Sequence, residues 1–395
     1  MIEILLYLLL GMLVGIILGL IPGLHPNMIA LIIPVILVMN IETVNIVIFA
    51  VALAVSNTFL DFIPSMLLGA PEPGKELILL PAHRMLVEGN GYDAVKLAVI
   101  GGLGSVIFLA VTSPLIVVGL PALYFVIKPF TYGLLIFITL VIILSEKNYR
   151  VMAVSTFCFL IAGVIGIASS HVPVDRTMIL FPILSGMFGV GTLILGTGNK
   201  TKIPKRRNEI HITSRQRNRS VIFGSLGGIF SGMLPGVGSS EIATIASVDK
   251  NEKSFIMTVG AVTISNTVMA ILAIWLIQKP RSGIAVFISQ LTQITFNDFL
   301  VMLCTAIFVA GVSAMITLKL AKIFISSMGK INYSFINKCV IALIVIMTFL
   351  LTGVYGLLVL FTCTALGIFV NLYGVRRSVL MGVLILPTII FYLPF

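Results

Sequence analysis

The chain has 395 residues, of which 59% are hydrophobic and 10% are charged, and its mean hydropathy is +1.17. Soluble domains carry roughly 25% charged residues, so the composition excludes a soluble protein. Outer-membrane barrels alternate apolar and polar residues along each strand, whereas the apolar runs here are continuous, as at 133–144 and 341–351. The predicted fold class is all-α, a polytopic bundle of membrane helices.

In chain order, the apolar segments form two groups on either side of a basic stretch. Several are shorter than the ~20 residues that a full span needs, and two short ones, 26–39 and 239–248, directly follow a Pro-Gly pair. The predicted segments are 4–20, 26–39, 45–69, 97–118, 121–144, 151–168 and 177–197, then 221–234, 239–248, 254–278, 297–317, 339–354, 356–371 and 378–394.

The two groups contain copies of one pattern. Gly15 to Ala30 and Gly228 to Ala243 share seven of sixteen positions, including a Pro-Gly that interrupts the apolar run. A Ser-Asn-Thr triplet follows each copy, at 56–58 and at 265–267. Interrupted hydrophobic segments at matching places in two halves indicate a secondary transporter, with its site between the halves. Each half is therefore predicted to contain a helix, or a re-entrant hairpin, broken at Pro-Gly.

The basic stretch 198–220 separates the halves. It holds eight basic residues and one acid, which is +7 of the net charge of +11. The positive-inside rule places such a loop in the cytoplasm, and this interpretation is favoured over a nucleic-acid patch. The predicted organisation is a first repeat at 1–197, a linker at 198–220 and a second repeat at 221–395. Counting spans back from the linker puts the amino terminus outside the cell membrane and gives the repeats inverted topology.

The Pro-Gly pairs are the first candidate binding elements. A half-helix that begins after Pro-Gly points free backbone N–H groups and a positive dipole end into the protein, where they bind anions. The alternative is that each pair only kinks a packed helix. The candidate substrate-binding residues here are Pro22, Gly23, His25, Asn27, Pro235, Gly236, Gly238, Ser239 and Ser240.

The Ser-Asn-Thr triplets are the second candidate. Their side-chain oxygens suit Na⁺ or a substrate carboxylate, with Na⁺ expected near Asn57 and Asn266. The alternative is hydrogen bonding between helices, which is common for these residues in membranes. The candidate residues are Ser56, Asn57, Thr58, Ser265, Asn266 and Thr267.

Two acids are predicted at membrane depth and break the repeat symmetry. Asp61 stands opposite Ala270 in the other repeat, and Glu241 stands opposite Met28. Buried ionisable groups in membranes are costly and usually functional, so both are candidates for coupling a proton or a cation. Asp61 at the interface and Glu241 as a helix cap are the alternatives.

Four cations in the polar stretches, Lys75, Arg84, Lys279 and Arg281, are interpreted as solvated loop charges. Guidance of an anion toward the site is the second interpretation for them.

Other chemistry finds no support in the sequence. The four histidines are dispersed and no metal-binding or nucleotide-binding motif is present, so neither an enzyme nor a metal or organic cofactor is expected. The four cysteines are predicted to be small core residues. The Gly101-Gly102-Leu103-Gly104 run predicts close helix packing.

The motifs G-L-I-P-G-L-H-P-N, S-N-T, M-L-V-E-G-N-G-Y-D-A-V-K-L-A and G-M-L-P-G-V-G-S-S resemble the large membrane subunit of tripartite tricarboxylate transporters, the TctA family. The chain looks like a compact, archaeal-type member. The resemblance implies ion-coupled import of citrate-like carboxylates with a small membrane subunit and an extracytoplasmic binding protein. It also implies roles for Pro22, Gly23, His25, Pro235, Gly236, Ser239 and both Ser-Asn-Thr triplets.

The leading hypothesis is a secondary transporter of a di- or tricarboxylate coupled to Na⁺ or H⁺. Its predicted surroundings are membrane lipid, and assembly into a homo-oligomer is compatible with the sequence. The runner-up keeps the architecture and carries a polyprenyl phosphate. A membrane enzyme acting on a lipid head group, with His25 and Glu241 as its only constellation, is a third hypothesis.

Overall fold

The structure is a computed structural model that describes residues 2–21, 41–68, 75, 78–144, 146, 148–174, 178–196, 212–233, 239–249, 251–291, 293–328 and 333–393. Every regular element within these ranges is helical. Seven of the described helices are long and apolar enough to cross a membrane. The predicted all-α polytopic bundle is confirmed.

The helices of the first half are α1 (Ile2–Leu20), α2 (Thr43–Leu60), α3 (Leu79–Val87), α4 (Gly91–Ile127), α5 (Thr131–Leu144), α6 (Tyr149–Ser169), α7 (Leu180–Leu184) and α8 (Gly191–Gly196). Those of the second half are α9 (Ser214–Met233), α10 (Ser239–Ala246), α11 (Glu252–Ile277), α12 (Gly283–Leu291), α13 (Phe296–Met328), α14 (Tyr333–Tyr373) and α15 (Gly382–Tyr392). A π-helical turn, Pro64–Leu68, follows α2, and a second, Ser185–Val190, joins α7 to α8.

Some predicted boundaries are wrong. Helix α4 continues through Pro114 and Pro121, so the break expected between 118 and 121 comes later, at the short 3₁₀ turn Lys128–Phe130. Membrane helices tolerate an internal proline because neighbouring groups satisfy the freed carbonyl. Helix α9 begins at Ser214, inside the predicted linker. The last arginines of that linker therefore lie on helical turns.

The two halves contain the same helix pair. In the first, Gly11, Gly15 and Gly19 of α1 lie against the backbone carbonyls of Phe49, Leu53 and Asn57 on α2. In the second, Gly224, Gly228 and Gly232 of α9 lie against the carbonyls of Thr258, Val262 and Asn266 on α11. The glycines correspond at a spacing of 213 residues and the carbonyls at 209. Glycine at every fourth position lets two membrane helices approach backbone to backbone.

The two helix pairs run in opposite directions. Along α4, Gly91 lies against Leu67 and Gly102 against Phe59, so α4 is antiparallel to α2. Along α11, Glu252 contacts Arg84 just before α4, and Arg281 just beyond α11 contacts Tyr124 near the end of α4. Helices α4 and α11 are therefore parallel, and α2 and α11 are antiparallel. This is the inverted relation predicted for the repeats; the exact repeat boundaries remain a prediction.

Each half also packs across the other. Helix α4 of the first half packs on α11, and its counterpart α13 packs on α2. Gly101 lies against the Met257 carbonyl and Gly260 against the Ala98 carbonyl. The close packing predicted for the glycine run is confirmed at Gly101. Because α4 and α13 each pack on a helix of the other half, α2 and α11 lie at the centre of the bundle. In the spans that contain α2 and α11, 94% and 78% of an apolar 18-residue stretch is buried.

The remaining helices form a second packing region. Helix α6 packs on α15, and α14 packs on the stretch Leu180–Gly196. Helix α14 is interrupted at Gly353, whose φ is +61°. Cys158 and Cys363 are buried as predicted, whereas Cys304 and Cys339 are exposed on the bundle surface, so the prediction of four core cysteines is half wrong.

Candidate functional site

The two Ser-Asn-Thr triplets meet at the centre of the bundle. The hydroxyl oxygens of Thr58 on α2 and Thr267 on α11 lie 3.3 Å apart, although 209 residues separate them. Each threonine stands fifteen residues after the start of its candidate span, at Thr43 and Glu252. The contact thus joins equivalent positions of two antiparallel helices inside the apolar thickness of the bundle.

This contact has more acceptors than protons. Thr58 is also 2.7 Å from the Ala54 carbonyl, and Thr267 is 3.1 Å from the Thr263 carbonyl. Two hydroxyls carry two protons and cannot donate all three hydrogen bonds at once. Spare lone pairs on the threonine oxygens therefore remain at the crossing, where they could accept a hydrogen bond from a donor or bind a cation.

The serines of the triplets serve helix packing. Ser56 donates to the Ala52 carbonyl at 2.6 Å and lies 3.3 Å from the Met12 carbonyl of α1. Ser265 donates to the Ser225 carbonyl of α9 at 2.9 Å. Both side chains are fully buried. These contacts favour the interhelical hydrogen-bond interpretation for Ser56 and Ser265.

Helices α1 and α9 end beside the triplets. Gly19, next to the last residue of α1, lies against Asn57 and Leu60, and Gly232 of α9 lies against Asn266 and Met269. In each repeat a single residue separates the end of the helix from the Pro-Gly pair. Both predicted breaks thus come directly after helix ends that reach the polar centre.

Several predicted site residues lie outside the described residues: Pro22, Gly23, His25, Asn27, Pro235, Gly236 and Gly238. Helix α10 begins at Ser239, which is buried, and Ser240 and Glu241 occupy its next two positions. Gly227 of α9 lies against Ile242 and Ala246, so α10 runs back along α9. The sequence predicts a short helix directly after Pro235-Gly236, and α10 confirms its position.

Asn57 is the most unusual side chain of the centre. It is fully buried, and neither its Oδ1 nor its Nδ2 has a hydrogen-bond partner in the described part of the chain. Leaving a buried polar group unsatisfied costs about 1–3 kcal/mol. Its repeat counterpart Asn266 is half-buried. An amide held at this cost is typical of a side chain that binds something other than its own protein.

Asp61 lies one helical turn beyond Asn57, and its side chain is buried. Its Oδ2 accepts hydrogen bonds from Lys75 Nζ at 2.6 Å and from Ser65 at 2.9 Å. The ammonium also lies 5.6 Å from the centre of the Phe62 ring. The interpretation of Lys75 as a solvated loop charge is therefore wrong. Sequence alone gives no signal for this pair, because fourteen residues with Pro and Gly separate its members.

The other predicted loop cations are nearer the surface. Arg84 pairs with Glu252 between the halves, and both side chains are exposed. Arg281 donates to the Tyr124 hydroxyl at 2.9 Å and stacks 5.5 Å from its ring centre. Lys279 is exposed, as predicted. These two contacts between the halves lie at opposite ends of the parallel pair α4 and α11.

These features define a class. The protein is a multi-pass α-helical membrane protein in which two inverted helix pairs meet at a buried polar centre, the arrangement typical of secondary transporters. A family model described as the tripartite tricarboxylate transporter TctA family matches residues 5–382. The chain belongs to this family of transporters, as the sequence resemblance indicated.

The chain is also similar to a protein of Methanocaldococcus jannaschii named "Uncharacterized protein MJ1079". The two are 31% identical over 366 residues, which cover 88% of this chain and 89% of the relative. That name assigns no activity to the relative. No solved structure gives a significant match.

Proposed function

We propose that the protein is a secondary active transporter of a di- or tricarboxylate, coupled to Na⁺ or H⁺, with its substrate site where the two inverted helix pairs meet. The observation that carries the proposal is the contact between Thr58 and Thr267 beside the Asn57 amide, which lacks a partner among the described residues. The Asn57 amide nitrogen, which has no acceptor among the described residues, can donate to a carboxylate. Family membership favours a carboxylate over the polyprenyl phosphate considered from sequence.

The proposal places the coupling cation close to the same centre. The excess of oxygen acceptors at Thr58 and Thr267 suits Na⁺, which oxygen ligands bind. Asn57, Asn266 and Asp61 stand within a turn of these threonines on their helices. The short helices that follow Pro-Gly, of which α10 is one, would complete the anion site with the free backbone N–H groups of their first turns.

The proposal extends to the setting of the protein. It acts in the cell membrane with its amino terminus outside and the stretch 198–220 in the cytoplasm. It transports without covalent chemistry. Its partners are a small membrane subunit and an extracytoplasmic binding protein, because the family is described as tripartite.

Transport by purified protein in liposomes tests the proposal. Uptake of labelled citrate, isocitrate, succinate and malate is measured under an imposed Na⁺ gradient, a pH gradient, both and neither. We expect gradient-dependent accumulation of at least one acid. If no acid accumulates, with or without co-reconstituted partner subunits, the carboxylate proposal is wrong; a lipid-phosphate flipping assay then tests the runner-up.

Isosteric variants locate the site. Thr58→Val and Thr267→Val keep shape and remove the hydroxyls at the crossing, and each should lower uptake strongly without reducing the amount of folded protein. Thr364→Val is the matched control, because Thr364 is buried in α14 and donates to the Leu360 carbonyl of its own helix. Equal uptake by all three variants would move the site away from the crossing.

A further inference from the structure

The buried ion pair between Asp61 and Lys75 stands out among the charges of this protein. Its side chains are 4% and 6% exposed, whereas those of Arg84 and Glu252 are 66% and 39% exposed. Lys75 is the one buried Lys or Arg in the described part of the chain. Burial in an apolar bundle makes each charge depend on the other, because an uncompensated charge there is expensive.

The pair adjoins the proposed substrate site. The backbone N–H of Asp61 donates to the Asn57 carbonyl at 2.9 Å, so the carboxylate lies one helical turn beyond the Asn57 amide. The Lys75 ammonium is 2.6 Å from that carboxylate. A positive charge is thus present beside the centre at which we propose that an anion binds.

The pair has no counterpart in the sequence of the second repeat. At the spacing that relates the triplets, Asp61 corresponds to Ala270 and Lys75 to Ile284, both buried apolar residues. The glycines and triplets that build the bundle occur in both repeats, and the ion pair does not. The equivalent place in the second repeat is filled without charges, so the fold itself does not require a pair at this position.

We propose that Asp61 and Lys75 form a coupling lock, in which Lys75 becomes the counter-ion of a substrate carboxylate while a monovalent cation, Na⁺ or H⁺, replaces it on Asp61. An anion alone would draw Lys75 away from Asp61, and a cation alone would draw Asp61 away from Lys75. With both ions bound, each member of the pair again faces an opposite charge. Each ion therefore raises the affinity for the other, and this coupling is reciprocal. The inference rests on the proposed function and assigns its coupling device.

Five neighbouring ionisable groups lie on the helices next to the pair. On α3 and the first turns of α4, the helices that adjoin this end of α2, they are His83, Arg84, Tyr92, Asp93 and Lys96. Asp93 is the buried one of these. None of them adds a second buried cation beside Asp61.

Binding of labelled citrate to purified protein tests the lock. The citrate Kd is measured at increasing Na⁺ at constant pH, with choline as the replacement cation, and then at decreasing pH in choline alone. We expect the wild-type Kd to fall in one series, which identifies the cation. For Asp61→Asn with Lys75→Gln, we expect a Kd weaker by roughly tenfold or more, because a charge-assisted contact is lost. The Kd of this variant should no longer fall with increasing Na⁺ or with decreasing pH.

The exposed pair supplies the matched control. Arg84→Gln with Glu252→Gln removes an ion pair between the halves and should leave the citrate Kd and its cation dependence unchanged. A folded Asp61→Asn and Lys75→Gln protein that keeps the cation dependence overturns the inference. If that double variant does not fold, Lys75→Arg is used instead, because it retains the positive charge. The citrate Kd should change in Lys75→Arg and stay unchanged in the control Arg84→Lys. An unchanged citrate Kd in Lys75→Arg also overturns the inference.

Failure of the inference is distinct from failure of the proposed function. A wild-type protein that neither binds nor accumulates any carboxylate contradicts the function itself. A wild-type protein with cation-dependent citrate binding, together with an Asp61 and Lys75 variant that behaves identically, contradicts the lock alone.

Discussion

Gly15 lies against Ser56 so closely that a Cβ atom on the glycine would meet the serine hydroxyl. The same relation joins Gly228 to Ser265 in the second repeat. The Ser265 hydroxyl also donates to the Ser225 carbonyl of the glycine-bearing helix at 2.9 Å, and the Ser56 oxygen lies 3.3 Å from the Met12 carbonyl. Glycine and serine together therefore fix the distance and the register between the paired helices, and with them the height of the neighbouring asparagine and threonine.

Alanine at either glycine should weaken the helix pair. Gly15→Ala and Gly228→Ala place a methyl group on backbone that cannot yield, and we expect each to destabilise the protein by about 1–3 kcal/mol. The measurement is thermal unfolding in detergent. Gly119→Ala is the control: Gly119 is helical, and no atom of the described residues lies within 4 Å of the place its methyl group would take. The better helix propensity of alanine should therefore stabilise that variant slightly. Equal effects at all three positions would contradict the close packing.

Leucine at Asn57 should separate stability from transport. Asn57→Leu removes a buried amide without partners among the described residues, so we expect a gain of about 1–3 kcal/mol in stability. Carboxylate uptake should be lost, as happens when a strained functional site is relieved. Unfolding temperature and liposome uptake are measured on the same preparations.

Asn45→Leu is the matched control for Asn57. Asn45 is buried near the start of the same helix, and its Oδ1 also lacks a partner in the described ranges. Its replacement should preserve uptake. Loss of uptake in both variants, or loss of stability in Asn57→Leu, would argue that Asn57 holds the fold rather than the substrate.

The sequence predicts much of this architecture because both repeats contain the same residue motifs at matching positions. The matched Pro-Gly blocks and Ser-Asn-Thr triplets predict equivalent positions in two halves, so the candidate centre is proposed without coordinates. The pairing of α1 with α2 and of α9 with α11 through glycines at every fourth position is seen only in the structure. The contact between Thr58 and Thr267 follows from those predictions only once the inverted relation is assumed. The partner of Asp61 could not be predicted, because nothing local links it to Lys75.

The boundaries that sequence misplaces share one cause. Hydropathy predicts a break before Pro121, yet α4 passes through it, whereas the interruption of α14 falls at Gly353. Hydropathy records whether a segment is apolar, but tertiary packing decides whether a proline or a glycine actually interrupts a helix.

Gly353 should not tolerate a side chain. Its φ of +61° and ψ of −154° lie in a region that is essentially restricted to glycine, so Gly353→Ala should cost about 1–3 kcal/mol of stability. Thermal unfolding of Gly353→Ala is compared with that of Gly311→Ala, a helical glycine whose added methyl group would likewise meet no atom of the described residues within 4 Å. If both variants are equally stable, the interruption of α14 is not fixed by this residue.

Joining the two threonines should stop transport. In Thr58→Cys with Thr267→Cys, sulfur atoms replace hydroxyls that lie 3.3 Å apart, so a small shift allows a bond of about 2.05 Å to form. The exposed Cys304 and Cys339 are first replaced by alanine to prevent other pairings. Because alternating access requires one repeat to move against the other, oxidation should abolish the citrate uptake that the reduced double variant retains through its thiols, and reduction should restore uptake to that level. Each single cysteine variant, treated identically, should be insensitive to oxidation. Full uptake by protein shown to be cross-linked would mean that the triplets stay together throughout the cycle and that the moving elements lie elsewhere in the bundle.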